Sequence, residues 1–161
     1  MRIAAVVVAA LIVVPSAAAA SFSFSVSTSS PVTAPGVTLS GDDQTATFTI
    51  VTQVAYTGSG NTAGWNIQSS MTQPKSGSNL LPYFSITAGT YGCVTGCTTN
   101  PTNGIGYPIT LSGTAQKIYD AAANTGRGTF SVTSTYKITY PANAIAATYS
   151  STVTLTGATG P

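Results

Sequence analysis

Polar and apolar residues alternate along most of this chain. In "SFSFSVS", Phe22, Phe24 and Val26 share one side of a predicted strand and serines take the other. "TATFTI" repeats the pattern with Ala46, Phe48 and Ile50, and "GWNIQSSM" aligns Trp65, Ile67 and Met71. "GTFSVTSTYKITY" aligns Phe130, Val132, Tyr136, Ile138 and Tyr140, and "TYSSTVTLT" aligns Tyr149, Val153 and Leu155. A period of two predicts half-buried strands, apolar inward and hydroxyl outward. Thr, Val, Ile and Tyr also suit a pleated surface. Shorter strand candidates lie at Val37–Leu39, Phe84–Ala88 and Ile109–Leu111.

Turn signals fall between these runs: "SGDD", "GSGN", "NPTNG" and "YPAN". "SSPVTAPG" reads as a small loop after the first strand. The glycine run "TGSGNTAG" reads as a hairpin loop joining "TATFTIVTQVAY" to "GWNIQSS". No long segment has an apolar period near 3.6, and the best helical candidate is "AQKIYDAAANTG", a single turn closing at Gly126. The fold class expected is all-β, a Greek-key-like β-sandwich. The first strand, at "SFSFSVS", reads as an ordinary edge strand, with reach to a neighbouring subunit as the alternative.

The start of the chain breaks the alternation. "MRIAAVVVAALIVVPSAAAA" has a basic Arg2, an apolar run from Ile3 to Val14, then Pro15 and a string of alanines. That order predicts a secretory signal peptide over residues 1–20. Ala18 and Ala20 fit a cleavage site, with Ser21 as the new N-terminus; an uncleaved anchor is the competing reading. The run is short of the roughly 20 residues that span a bilayer, and no second such stretch follows. The sequence thus predicts one exported domain over 21–161, at the cell surface or cell wall, with no membrane span after signal removal.

Charged residues make up 5% of the chain, against roughly 25% in typical soluble domains. The carboxylates are Asp42, Asp43 and Asp120, and there is no Glu and no His. A basic nucleic-acid face is excluded in practice with so few cations. A surface of Ser and Thr hydroxyls suits packing against neutral polymers or other copies of the chain.

Catalytic chemistry finds little support. Asp42 and Asp43 are adjacent, so on a strand they point apart, and they read better as a turn before "TATFTI". A Ser or Thr nucleophile has no His base, and neither S-x-x-K nor G-x-S-x-G occurs. Gly58, Gly60 and Ala63 match a dinucleotide fingerprint, but the alternating "GWNIQSS" follows where a helix is required. The sequence therefore predicts no enzyme and no cofactor. Cys93 and Cys97, in an exported chain with no His and no third Cys, predict a disulfide over a metal site. So small a ring is expected to stiffen a protruding loop.

Trp65 is the one tryptophan. It admits two readings: a stacking platform for sugar rings, or a core residue in phase with Ile67 and Met71. Phase favours the core, with the indole N–H bonded to a carbonyl of the glycine loop.

The order of segments resembles a WxL domain, a surface module of Gram-positive bacteria. "TGSGNTAGWNIQSS" is similar to the family's G-[ST]-G…A-G-W-x-[LIV] segment. "CVTGCTTNPTNGIGYPITL" resembles the Cys-pair insert of actinobacterial members, and "GTFSVTSTYKITYPANAIAATYSSTVTLT" resembles the closing hairpin. The resemblance spans nearly all of 21–161. It implies a secreted, single-domain, non-catalytic β-sandwich that holds to peptidoglycan or a related wall glycan non-covalently. Trp65, Ile67 and Tyr149 are then the candidate glycan-binding residues. Two departures stand out: the second W-x-L falls at Leu155-Thr156-Gly157 without its tryptophan, and Ala55-Tyr56 stand where an acidic residue is common. The competing class is a structural coat or fibre subunit, whose partners are other surface proteins or its own copies, joined through exposed strand edges.

Overall fold

The computed structural model describes residues 3–13, 22–57, 60 and 62–161. The strands are β1 (Ile3–Val13), β2 (Phe22–Val26), β3 (Val32–Thr38), β4 (Gln44–Tyr56), β5 (Trp65–Met71) and β6 (Lys75–Ser76). They continue with β7 (Asn79–Leu80), β8 (Ser85–Thr99), β9 (Ile109–Thr110), β10 (Gln116–Ala121), β11 (Arg127–Tyr140) and β12 (Thr148–Thr159). No helix occurs among the described residues, so none is long and apolar enough to cross a membrane.

Two sheets pack face to face as a β-sandwich. One runs β10-β5-β12-β1-β3, with β6 and β7 attached beside β12; the other runs β2-β4-β11-β8-β9. β11 is the spine of the second sheet. Its residues alternate without a break, and Gly128, Phe130, Val132, Ser134, Tyr136, Ile138 and Tyr140 all point inward. It pairs in continuous register with β4, from Gly128 opposite Tyr56 to Tyr140 opposite Gln44. Between the sheets Phe48 stacks on Tyr136 at 5.1 Å and meets the edge of Phe84 at 5.7 Å. Such ring pairs add to the burial of apolar area that drives the two layers together.

Several expectations need correction. "SSPVTAPG" is not a plain loop: it contains most of β3. β3 is an edge strand, which is where Pro35 can sit without breaking a ladder. The register against β1 slips at Pro35–Gly36, between the Ala4 and Val6 positions. "AQKIYDAAANTG" holds no helical turn over Gln116–Ala121, which is β10 paired to β5. A bulge between Lys117 and Tyr119 puts Ile118 and Tyr119 both in the core, so the period of two is lost there. The turn that follows does close at Gly126 (φ 69°), after Asn124 at φ 65°.

The glycine run does not make a hairpin either. β4 lies in one sheet and β5 in the other, so the run carries the chain across the sandwich. Gly58 lies outside the described residues. The supposed closing hairpin is a second such crossing, because β11 and β12 also belong to different sheets.

β2, the predicted first strand, pairs with β4 of its own domain as an edge strand. The apolar run expected to form the leader is β1, an interior strand with β12 on one side and β3 on the other. Ala18, Ala20 and Ser21, the expected cleavage point, lie outside the described residues.

Candidate functional site

The three residues read as a sugar-facing set are in the core. Trp65 and Ile67 are 0% exposed and Tyr149 is 1% exposed. Trp65 stacks on Tyr119 with ring centres 5.7 Å apart and planes 19° off parallel. Its indole Nε1–H donates to the Gly126 carbonyl at 2.9 Å. The acceptor is thus the turn between β10 and β11, not the glycine run before β5. Tyr149 donates its hydroxyl to the Ile145 carbonyl at 2.9 Å. A buried indole or phenol usually finds such a partner, and the alternation that places Ile67 and Met71 inward also decides Trp65.

The carboxylates hold backbone. Asp43 accepts from the Ala142 N–H at 2.8 Å, tying the start of β4 to the turn after β11. Asp42 accepts from Ser40 within the turn before β4 at 3.4 Å, as its position suggested. Asp120 accepts from the Gly104 N–H at 2.6 Å and helps fasten the segment before β9 along β10. Tyr107 joins in by donating to the Ile118 carbonyl at 2.6 Å. Burial raises the Tyr107 phenol above its ordinary value; the Asn103 hydrogen bond opposes this and the Asp120 charge adds to it. No group of three His, Cys, Asp or Glu is gathered among the described residues.

Cys93 and Cys97 form a disulfide with Cα atoms 6.1 Å apart. The ring is not a protruding loop. It is a bulge within β8, whose register against β11 slips from Cys93 opposite Phe130 to Thr95 opposite Thr129 and again before Thr99. Gly128 on β11 (φ 129°) makes room for it: a Cβ there would meet the Cys97 Cα at 2.6 Å. Tyr91, just before the ring, and Val94, inside it, are 42% and 50% exposed.

The remaining feature is the seat of β1. Its backbone runs parallel to β12 from Ala5 opposite Thr148 to Val13 opposite Thr156. Its other edge pairs antiparallel with β3, including Val6 opposite Ala34 and Val8 opposite Val32. Ala4, Val6 and Val8 are 0% exposed and face the sandwich core. Val7, on the outer face, lines a groove of about 540 Å³ with Thr72, Gln73, Lys75, Leu80 and Ser150–Thr152. A second groove of about 360 Å³ adjoins it through Leu80 and includes Ile145, and both of these side chains are more than half exposed. The sequence hid this surface. Leu80 and Ile145 belong to no alternating run, and the leader-like composition of residues 3–13 masks their strand pattern.

No protein-family model matches the chain, and no curated protein matches it.

Proposed function

We propose that this chain is a non-catalytic, exported surface protein that works as a structural subunit, joining neighbouring polypeptides through the edges of its sheets. The observation that carries this reading is the position of β1: a leader-like segment is an interior strand, so its loss opens two edges in one sheet. Open edges recruit strands. The composition supports the reading as well, since a chain with 5% charged residues and many hydroxyls repels neighbouring copies weakly. The non-catalytic part rests on the absence of His and Glu and on the engagement of Asp43 and Asp120 with backbone N–H groups. The test is sedimentation of the exported protein over a range of concentrations, with purified cell walls as a parallel sample. Association with itself or other surface proteins, without wall affinity, is expected. A monomer at every concentration that sediments only with walls overturns the reading.

A second reading, a WxL-like module holding to peptidoglycan or a related glycan, is favoured by Tyr91 and Val94. These exposed apolar side chains lie just before and within a disulfide ring and replace Trp65, Ile67 and Tyr149 as the surface a sugar can reach. Wall pull-down that is lost in Tyr91→Ala while the fold is kept supports it; unchanged pull-down removes Tyr91 from it.

A further inference from the structure

The seat of β1 has the form of a receptor for one strand. Two strands that flank a third are about 9–10 Å apart, twice the inter-strand spacing. With Ile3–Val13 gone, β3 and β12 are too distant to bond each other unless one moves by a full strand width. Both would then present unpaired N–H and C=O groups along facing edges. Between them lies an apolar floor from which Ala4, Val6 and Val8, each 0% exposed, have been withdrawn.

We infer that removal of the leader converts this seat into an acceptor slot, filled by an extended strand of a different polypeptide. This rests on the subunit reading above and specifies the edge and the partner. The occupant seen in the slot defines the chemistry of its replacement. It is uncharged, carries Ala- or Val-sized side chains at alternate positions, and enters parallel to β12 and antiparallel to β3. Hydrogen bonds to both edges hold it without regard to sequence. The inward pockets select side-chain size and phase, since a shift by one residue would turn the wrong face to the core.

The chain's own nearest candidate, β2, does not meet this description. Phe22–Val26 alternates correctly but offers Phe at two of its three inward positions. It is also already engaged, paired with β4 from Phe22 opposite Tyr56 to Val26 opposite Thr52. Phe24 lies against β12 at Gly157, where a Cβ would meet the ring at 2.6 Å. Overfilling a slot shaped for Val and Ala displaces its walls.

The test keeps the full chain and replaces residues 15–20 with a site-specific protease sequence. The protein is purified intact, cut, and offered three labelled synthetic peptides: Ile3–Val13, the same peptide with Val6→Asp, and Ser21–Ser27. Each carries a solubilising lysine tail. The cut strand is expected to stay bound through gel filtration and to exchange stoichiometrically with labelled Ile3–Val13. The Val6→Asp peptide is expected to bind at least about 100-fold more weakly, because it buries an unpaired charge. Amide exchange along β12 is expected to rise when the slot is emptied and to fall when the peptide returns. Equal binding of the Val6→Asp peptide, or β12 amides that stay protected in the emptied protein, overturns the slot. Binding of Ser21–Ser27 as tight as Ile3–Val13 overturns the partner, making the donor a second copy. Association with other polypeptides that is equally strong in the uncut chain also overturns the slot but leaves assembly through other edges standing. Peptide capture by a cut chain that joins nothing else upholds the slot and sinks the subunit reading instead.

Discussion

The Trp65 indole N–H and the Gly126 carbonyl meet at 2.9 Å, across a stretch of sequence that otherwise joins opposite sheets. Trp65 opens β5, and Gly126 ends the turn that leads into β11. The bond therefore links the two layers at one end of the sandwich. Gly126 is itself confined: at φ 69° a Cβ would meet the indole Nε1 at 2.5 Å and the Ala121 Cβ at 2.8 Å.

Trp65→Phe is expected to cost about 1–3 kcal/mol, since the Gly126 carbonyl loses its donor inside the core. Trp65→Ala is expected to cost about 3–5 kcal/mol, a large share of the roughly 5–15 kcal/mol that holds a typical domain folded. Denaturant midpoints followed by circular dichroism measure both. An alanine variant as stable as the parent removes Trp65 from the core.

The disulfide ring and Gly128 are expected to behave as one unit. Reduction, or Cys93→Ser with Cys97→Ser, is expected to cost about 2 kcal/mol on loop-closure grounds and to leave the sandwich folded. Gly128→Ala is expected to cost about 1–3 kcal/mol, because the new methyl would press on the Cys97 backbone. The cost is expected to shrink once the ring is opened, which a double-mutant cycle reads directly.

Packing at Gly157 predicts the behaviour of the edge strand β2. Gly157→Ala would drive a methyl into the Phe24 ring. The expected result is a loss of about 1–3 kcal/mol with faster amide exchange confined to β2 and its partner residues on β4. Uniform loss of protection over both sheets would contradict this local account.

Stability at high pH follows from the buried phenols. Burial raises Tyr136, and the Ser69 hydroxyl facing it from β5 opposes the shift, although neither hydroxyl completes a hydrogen bond of good geometry. Burial also raises Tyr140 and Tyr119, with Tyr107, Tyr91 and Asp120 adding to the latter. A phenol whose folded pKa lies above its unfolded value keeps its proton longer in the native state. Above the ordinary value of 10.0, the unfolded chain binds fewer protons than the folded one, so stability falls as pH rises. The contribution is fully present below that value. Alkaline unfolding monitored by tyrosinate absorbance is expected to show these phenols ionising together with loss of structure; Tyr136→Phe is expected to blunt the fall.

Alternation made the sandwich legible. β11 shows why: fourteen residues keep one phase from end to end, so hydroxyl and apolar positions mark the two faces directly. Trp65 was readable on the same ground, and the Cys93–Cys97 pair on composition. What alternation does not encode is which strand lies beside which. The glycine run and the "YPAN" segment join strands of different sheets, and their turn chemistry looks the same as that of hairpins. β10 was obscured by its bulge, where Ile118 and Tyr119 point inward in succession. β3 was obscured by Pro35, which only an edge position tolerates. The expected sugar-facing set failed for a related reason: Ile67 and Tyr149 share the inward phase that already pointed Trp65 at the core.

The parallel pairing of β1 with β12 sets an order of events in the cell. β1 precedes β12 in the chain with ten other strands between them, so this sheet stays incomplete until Thr148–Thr159 has left the ribosome. A folded molecule has residues 3–13 locked between two neighbours, with both backbone edges already engaged. Under the export proposed above, translocation has to win its race against β12, and any change that slows synthesis or docking of β12 is expected to favour secretion over retention.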